Sequence, residues 1–515
     1  MRRAAGGRGE KVVIVGAGVA GLCAGVYARK VGLEAEIVEM GQSSGGLATS
    51  WRRGDYTFET CLEWLLGSKQ GSSWHALWKE VFDIDALKFV DPAEYGRLET
   101  EEGQSLVVPV SPDLLERELL RVAPEDARAI KRLAQGVRRL QRFDLPVHEE
   151  AAWRNVAGWA RAAPVLPELW YWSRLTVKQV AERFQNPLLR AFFGLGLQSR
   201  ISAVALVLSL AWMARGDAGY PVGGSEAVIK RIEARFRELG GTIRFGARVD
   251  RILIERRQAV GVHLSDGQEV RADWVVSAAD GHSTLFDWIP EEFRDRRTTE
   301  LYHSAPVFPS YVQVSFGIRR DLRDLPRSFI RTLKKPLQID PETETRQLRY
   351  RVFNFDPSFA PSGETAVTCD LWTYNHAYWR ELQATNADEY ATRKRAIADF
   401  VAEVLERRVP GVCADIAEVD VSTPATVVRY TGNWKGSIEG FLPTPETGFQ
   451  RPRLKLPGLD RFLMAGQWVV PGGGLPTGLM TGRRCIQEIC KATHRRFTPQ
   501  QAPARIKTVP RPAPA

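Results

Sequence analysis

Apolar positions along this chain change their period more than once. Lys11–Val15 is a short, nearly continuous apolar run, followed by glycines, helical spacing over Gly21–Val31 and a second apolar run, Ala35–Glu39. That order predicts one strand–helix–strand unit of about 30 residues. Arg97–Val108 alternates and carries Glu101, Glu102 and Gly103 where a hairpin would turn. From Pro112 to Met213 the spacing is mainly helical, and Pro124, Pro146, Pro164, Pro167 and Pro187 mark helix boundaries. A second α/β stretch follows. Ala227–Leu239 is an amphipathic helix closed by Gly240 and Gly241, and Thr242–Phe245, Val249–Glu255, Ala259–Leu264 and Trp274–Ser277 read as strands, two of them joined by the turn Ser265-Asp266-Gly267. Strand-like runs at Tyr311–Gly317, Gln347–Phe353 and Ala366–Trp372 precede a helix, Ala387–Arg407. The strand–glycine–helix pattern returns at Phe462–Ile489, and the chain beyond Thr498 is rich in Pro, Ala and basic residues, a composition that predicts disorder.

Length and charge refine this picture. The 515 residues suffice for two or three packed units. The net charge of +10 is concentrated at the two ends: Arg2, Arg3, Arg8 and Lys11 against Glu10, then Lys491, Arg495, Arg496, Arg505, Lys507 and Arg511, carry +9 of it. Neither end interleaves aromatics with its basic residues, so these are solvated tails and no nucleic-acid partner is expected. Weak attraction to an anionic membrane surface is the functional option. The six cysteines show no CxxC spacing and no apolar signal region precedes the first strand, which together predict a reduced, cytoplasmic setting. Ala203–Met213 is the most lipid-like stretch, but Arg200 and Arg215 bound it, leaving it too short to cross a bilayer. The seven histidines show no metal-ligand spacing, so no metal is expected.

The opening glycines carry chemistry. Gly16, Gly18 and Gly21 form a GxGxxG between strand and helix: the first permits a tight turn, the second a close approach to a pyrophosphate, the third close helix–strand packing. The helix N-terminus would face the phosphates with unpaired N–H groups. Glu39 ends the next strand, where a carboxylate can accept from ribose hydroxyls. This motif does not separate NAD(P) from FAD. Gly45 and Gly46, just beyond Glu39, are either a further backbone contact to an extended dinucleotide or a surface turn.

Near the other end, Arg461–Gln467 reads as a buried strand leading to Gly472, Gly473 and Gly474 and the helix Leu475–Lys491. Three glycines at a helix start are entropically unfavourable, but suit a backbone lying against a flat ligand. The helix N-terminus would then stabilise negative charge on the pyrimidine edge of a reduced isoalloxazine. A capping turn without a ligand is the alternative.

Four segments resemble the phytoene desaturase, carotenoid cis-trans isomerase and retinol saturase family, part of a wider flavin group containing amine oxidases. They are Gly45–Trp74 (GGLATSWRRGDYTFETCLEWLLGSKQGSSW), Leu119–Arg132, Tyr220–Gly224 through Asp280 (YPVGG to VVSAAD), and Phe462–Cys490 (FLMAGQWVVPGGGLPTGLMTGRRCIQEIC). The resemblance implies a resident FAD. Gly16, Gly18, Val19, Ala20, Gly21, Glu39, Gly45, Gly46, Leu47 and Ala48 would hold its ADP and pyrophosphate side, and Val249 and Ala279 would add contacts, Val249 beside the adenine. Gly466, Gln467, Gly473, Gly474, Leu475 and Pro476 would lie against the ring. The implied fold is α/β: a Rossmann-type FAD-binding domain from residues 1–95, 219–298 and 426–497, a mixed-sheet substrate domain at 299–425, a helical lid at 96–218 that is either membrane-facing or a core, and a disordered tail at 498–515.

The implied substrate is a long apolar polyene or isoprenoid, with an external electron acceptor. Desaturation, saturation and flavin-assisted cis-trans isomerisation remain open, as does an amine oxidase in which Trp372, Tyr374 and Trp379 contribute to an aromatic cage, or a membrane-associated partner protein holding FAD structurally. Relatives with a similar Cys-x-x-Trp-Leu string commonly carry His where this chain has Glu63, which is either a general acid/base or a salt-bridged structural acid. Trp153, Trp159, Trp170, Tyr171, Trp172, Phe184, Phe192, Phe193 and Trp212, interspersed with Arg154, Arg161, Arg174 and Arg190, suit either a membrane interface or a Trp-rich helical core.

Overall fold

The computed structural model describes residues 9–144, 163–194, 197–447 and 452–499. Its organising element is a five-stranded parallel sheet in the order Thr242–Arg244, Glu34–Val38, Lys11–Val15, Trp274–Ser277, Phe462–Met464. The strand at Lys11–Val15 is buried on both faces, as parallel strands covered by other layers are. Val12 and Ile14 pack with the helices Val19–Lys30, Gly224–Glu238 and Gly474–Ala492, whereas Val13 and Val15 pack against a three-stranded meander, Val249–Glu255, Gln258–Leu264 and Glu269–Arg271.

A seven-stranded mixed sheet forms the second body. Its order is Ile416–Ser422, Ser310–Ile318, Thr365–Thr373, Thr343–Val352, Ser328–Asp340, Glu94–Glu99, Ser105–Pro109. All of its pairs are antiparallel except Ser328–Asp340 with Glu94–Glu99. Helices from Pro112 to Ala214 cover its far edge. In Ala127–Leu140, Ile130, Leu133, Ala134, Val137 and Leu140 make one buried face at helical spacing. Ala203–Ala214 is a 12-residue helix in this layer, and among the described residues no helix is long and apolar enough to cross a membrane.

Several boundaries differ from expectation. The opening helix starts at Val19, so Gly21 lies inside its first turn. The run Arg461–Gln467 contributes only Phe462–Met464 to the sheet, between two left-handed residues, Arg461 (φ 60°) and Gly466 (φ 98°). The turn at Ser265–Gly267 leads to a strand the pattern did not reveal, Glu269–Arg271. The 13-residue strand Ser328–Asp340 was also hidden: Lys334, Lys335 and Pro336 interrupt its alternation, and the pairing shifts register between Thr332 and Leu337. Of the expected disordered tail, residues 500–515 lie outside the described residues.

The aromatic-rich helical layer divides. Trp172, Phe184 and Phe193 are core, while Trp170 is 62 % exposed with the Arg174 guanidinium 4.7 Å from its ring centre. Trp153, Arg154, Trp159 and Arg161 lie outside the described residues.

Candidate active site

Hydrogen bonds from the backbone build the first half of a cleft. Gly16 N–H donates to Val38 O (2.8 Å), Gly45 N–H to Ala17 O (3.0 Å), and Ala17 N–H to Glu39 Oε2 (2.7 Å). Gly41 N–H donates to Glu39 Oε1 at 2.7 Å. The buried Glu39 carboxylate thus has two of its roughly four acceptor sites filled and keeps the rest for the cleft it lines.

The three opening glycines are required for different reasons. A Cβ on Gly21 would fall 1.9 Å from Gly16 O, so protein packing demands that glycine; Gly16 has φ 98° and needs it by conformation. Gly18 has neither constraint. It is extended, at φ −69°, and a Cβ there would meet nothing nearer than Gly45 O at 3.9 Å. Its missing side chain leaves room in the cleft itself.

The second half comes from the chain's other end. Ala465 N–H donates to Ser277 O (2.8 Å) and Gly466 N–H to Thr481 Oγ1 (2.9 Å), which turns the backbone away from the sheet. Gly472, Gly473 and Gly474 all have positive φ, at 96°, 51° and 79°, and start the closing helix, Gly474–Ala492. That helix lies parallel and very close to the opening one. A Cβ on Gly478 would come 2.3 Å from Val19 Cγ1, and one on Gly482 2.6 Å from Ala20 O. Buried Arg483 donates to Glu80 (2.8 Å), which also accepts from Tyr27 OH (2.9 Å), fixing the pair of helices to the layer beneath. Two helix N-termini, with their partial positive charge, therefore open onto one cleft.

Gly16, Gly18, Val19, Ala20, Glu39, Gly45, Gly46, Leu47, Ala48, Val249, Ala279, Gly466, Gln467, Gly474 and Leu475 line this cleft together. Gly21, Gly473 and Pro476 do not line it; a Cβ on Gly473 would clash with Glu439 at 2.5 Å. The sequence reading missed Cys61, Asp280, Asn433 and Glu439, which also line it. The Asp280 carboxylate accepts from Trp434 N–H and Ser283 N–H, both at 2.8 Å, and burial pushes it up to about 6. Burial, with a smaller contribution from the charge of Glu63, pushes Glu439 up to about 8. Trp372, Tyr374 and Trp379 are absent from the lining, Trp379 being core and Tyr374 55 % exposed.

One wall of the cleft is the turn Thr60–Trp64, and polar groups hold it from several sides. The fully buried Glu59 carboxylate accepts from Leu62 N–H (2.9 Å), Ser225 N–H (2.9 Å) and Ser225 Oγ (3.1 Å). It fits only because the second glycine of the Tyr220–Gly224 string lacks a side chain: a Cβ on Gly224 would fall 1.8 Å from Glu59 Oε2. Arg351 donates to Thr60 O (3.1 Å) and Leu62 O (2.7 Å).

Cys61 faces the cleft, whereas Leu62, Glu63 and Trp64 face a neighbouring cavity of about 320 Å³ that also receives Arg97, Arg327, Arg349 and Arg351. Glu63 is ion-paired to Arg349 at 2.6 Å. Its side chain is 40 % accessible, but within this walled cavity. Burial alone would raise its carboxyl; Arg349, helped by Arg351 and Arg327, outweighs that and holds it at about 2. Arg327 packs on Phe355 (3.9 Å) and Tyr220 (5.2 Å), and burial lowers it to about 10.

A flavin dinucleotide fits the first cleft. Gly18 leaves open space that protein packing does not explain, Glu39 retains acceptor capacity, and two helix ends face a region where, among the described residues, Arg248 is the sole cationic lining side chain. No described group of side chains could hold a metal ion.

Comparison with known proteins agrees with this geometry. Residues 19–490 match the family model for flavin containing amine oxidoreductases. The chain is 23 % identical to a lycopene-forming phytoene desaturase of Paracoccus, over 91 % of this chain and 94 % of that protein. It is 26 % identical to a chloroplastic prolycopene isomerase of Daucus carota, over 53 % of this chain and 44 % of that protein. Among solved structures, cyclohexylamine oxidase of Brevibacterium oxydans superposes with a TM-score of 0.59 at 15 % identity, covering 95 % of this chain and all of that one, a likeness of fold. The chain belongs to the flavin containing amine oxidoreductase family, and its cofactor is FAD.

Proposed function

We propose that this flavoprotein oxidises, reduces or isomerises a long apolar polyene or isoprenoid held beside the ring end of its FAD. The observation that carries the reading is the single cleft shared by both glycine motifs, in a chain similar along nearly its whole length to a phytoene desaturase. The opening helix, Gly45, Gly46 and Glu39 hold the ADP and pyrophosphate side, Val249 and Ala279 add contacts at the edge of the cleft, and Gly466, Gln467, Gly474 and Leu475 face the ring. Gly21, Gly473 and Pro476 shape these turns from behind. When bound, the flavin supplies hydride exchange at N5. An unactivated allylic C–H is not acidic, so the first C–H bond breaks by hydride loss without a protein base, and for that step the protein orients the substrate and excludes water.

In this reading Glu63 is a positioning residue: ionised and paired with Arg349, it steadies the Thr60–Trp64 wall. We assign residues 1–95, 219–298 and 426–497 to the FAD-binding domain, 96–218 to the helical lid and 299–425 to the substrate domain. The interior of the first is the five-stranded sheet, and that of the substrate domain is the antiparallel part of the seven-stranded one. Exposed Leu166 and Trp170, beside Arg174, suit contact with a lipid surface at headgroup depth.

Anaerobic mixing of the purified, yellow protein with phytoene or with a cis-polyene in detergent, followed by mass analysis, tests the reading. Bleaching of the flavin and a product two hydrogens lighter identifies a desaturase. An unchanged mass with altered geometry identifies an isomerase, and a heavier product formed by pre-reduced enzyme identifies a saturase. A colourless protein that takes up no FAD, or peroxide release with amines and none of these products, overturns it.

A further inference from the structure

One acid in the cleft has no role in building it. Glu439 lies on the strap Ser437–Phe441, which passes over the triple-glycine turn: Gly472 N–H donates to Phe441 O at 3.2 Å, and Phe308 N–H to Gly440 O at 2.8 Å. Its side chain lines the cleft with Cys61, Gln467 and Gly474. Its Oε1 lies 3.9 Å from where a Cβ of Gly474 would be, at the start of the closing helix and beside the loop assigned to the ring. Among the described residues, no hydrogen bond or ion pair reaches this carboxyl. A half-buried carboxyl that faces a reaction cleft and has no partner in the protein points to chemistry.

The surrounding charges are committed elsewhere. Arg349 pairs with Glu63, Arg351 with the carbonyls of Thr60 and Leu62, and Arg327 stacks on Phe355. Both oxygens of Asp280 accept backbone N–H groups, and Glu59 is saturated by Leu62 and Ser225. The Cys61 thiol is pushed up, mainly by burial. Arg248 and Tyr430 on the rim are exposed, and Lys435, on the approach to the strap, lies over the Trp434 ring at 4.2 Å. Two contrasting carboxyl environments therefore lie within electrostatic reach across the Thr60–Trp64 turn: Glu63 held ionised in the arginine-lined cavity, and Glu439 held largely neutral in the cleft.

We propose that Glu439 is the proton-accepting catalytic residue for dehydrogenation of the apolar substrate, a role that rests on the function proposed above. One substrate C–H bond breaks with its electron pair leaving as hydride to the oxidised flavin, the two-electron oxidant. The neighbouring C–H bond breaks, its electron pair becoming the π bond of the new C=C and its proton forming an O–H bond on Glu439. The proton then passes to solvent, and a quinone or dioxygen takes up the flavin's electrons. The accepting form is the carboxylate, so turnover rises with pH toward a plateau above about 8.

The test compares the flavin-loaded wild type with Glu439→Gln and Glu439→Asp. In the wild type, titration of a carboxyl beside the ring shifts the flavin's visible absorption bands with an apparent pKa near 8; in Glu439→Gln, which keeps its flavin, that transition disappears. With phytoene in detergent micelles as the probe, Glu439→Gln loses about 100-fold in kcat/KM and its pH inflection, while Glu439→Asp keeps an inflection. A Glu439→Gln protein whose spectrum titrates like the wild type overturns the role of Glu439 and leaves the flavin reading standing, as does a wild-type kcat/KM that falls through this pH range. A wild type that binds no flavin overturns both.

Discussion

The flavin cleft and the arginine-lined cavity lie on the two sides of one short turn, Thr60–Trp64, yet they are built from opposite materials. The cleft is walled mostly by glycine backbone, helix ends and three carboxyl groups, Glu39, Asp280 and Glu439. The cavity is walled by side chains, with Arg97, Arg327, Arg349 and Arg351 set among aromatics and acids. On the proposed assignment, a ligand carrying a pyrophosphate would be received by oriented N–H groups, which need no side-chain ordering, while the guanidinium groups hold the wall. Removing a group from the cleft should therefore affect the ligand, and removing one from the cavity should affect the fold.

The largest effect is expected for Arg351→Met. It strips Thr60 O and Leu62 O of their donor and leaves Glu59 and Asp370 buried without its charge, a loss of about 3–5 kcal/mol in urea denaturation, with flavin content falling in parallel. Retained stability would break the assignment of the arginines to the wall.

Next is Gly18→Ala. Its methyl group has space in the protein but not beside a dinucleotide, so flavin-free stability changes by no more than about 1 kcal/mol while the FAD Kd rises at least about tenfold, read by fluorescence titration. Gly21→Ala, whose methyl group would fall on Gly16 O, serves as the contrast and should lose soluble protein outright.

The smallest effect is expected for Glu63→Gln, below about 1 kcal/mol, because the pair with Arg349 is partly accessible. The folded-state pKa of Glu63, about 2, lies below its ordinary 4.5, so its contribution is present above 4.5 and is lost as pH falls toward 2. The stability difference between wild type and variant should shrink across that window in denaturation curves taken at successive pH values. A difference that grows there instead would remove Glu63 from the pair.

What was legible in the sequence follows the same division. Backbone requirements leave a local trace: Gly16, Gly18 and Gly21 followed by Glu39, and the Gly472–Gly474 triplet before a helix, are read without knowing what lies opposite them. Side-chain requirements do not. Glu59 is buried because Gly224 and Ser225 arrive from 165 positions further on, as the 166-residue separation of its bond to Ser225 shows. Glu439 stands in a stretch without periodicity, and its only local sign is an acid between Ile438 and Gly440 in an otherwise acid-poor run. The strand at Ser328–Asp340 was masked by its own lysines and Pro336, which the bulged pairing accommodates. Glu63 carried two readings because its ion-pair partner, Arg349, is set by the pairing of distant strands.

The glycine stripe of the closing helix has a consequence for biosynthesis. Gly478 and Gly482 dock that helix against Val19, Ala20 and Ala24, and the sheet's outermost strand, Phe462–Met464, belongs to the same late segment. While the ribosome is still translating, the nucleotide motif at the start of the chain can fold into a half-site open on one side, with no partner helix to close it. A nascent chain stalled before Phe462 would lack both the strand and the helix that close the cleft, and is expected to emerge without its prosthetic group.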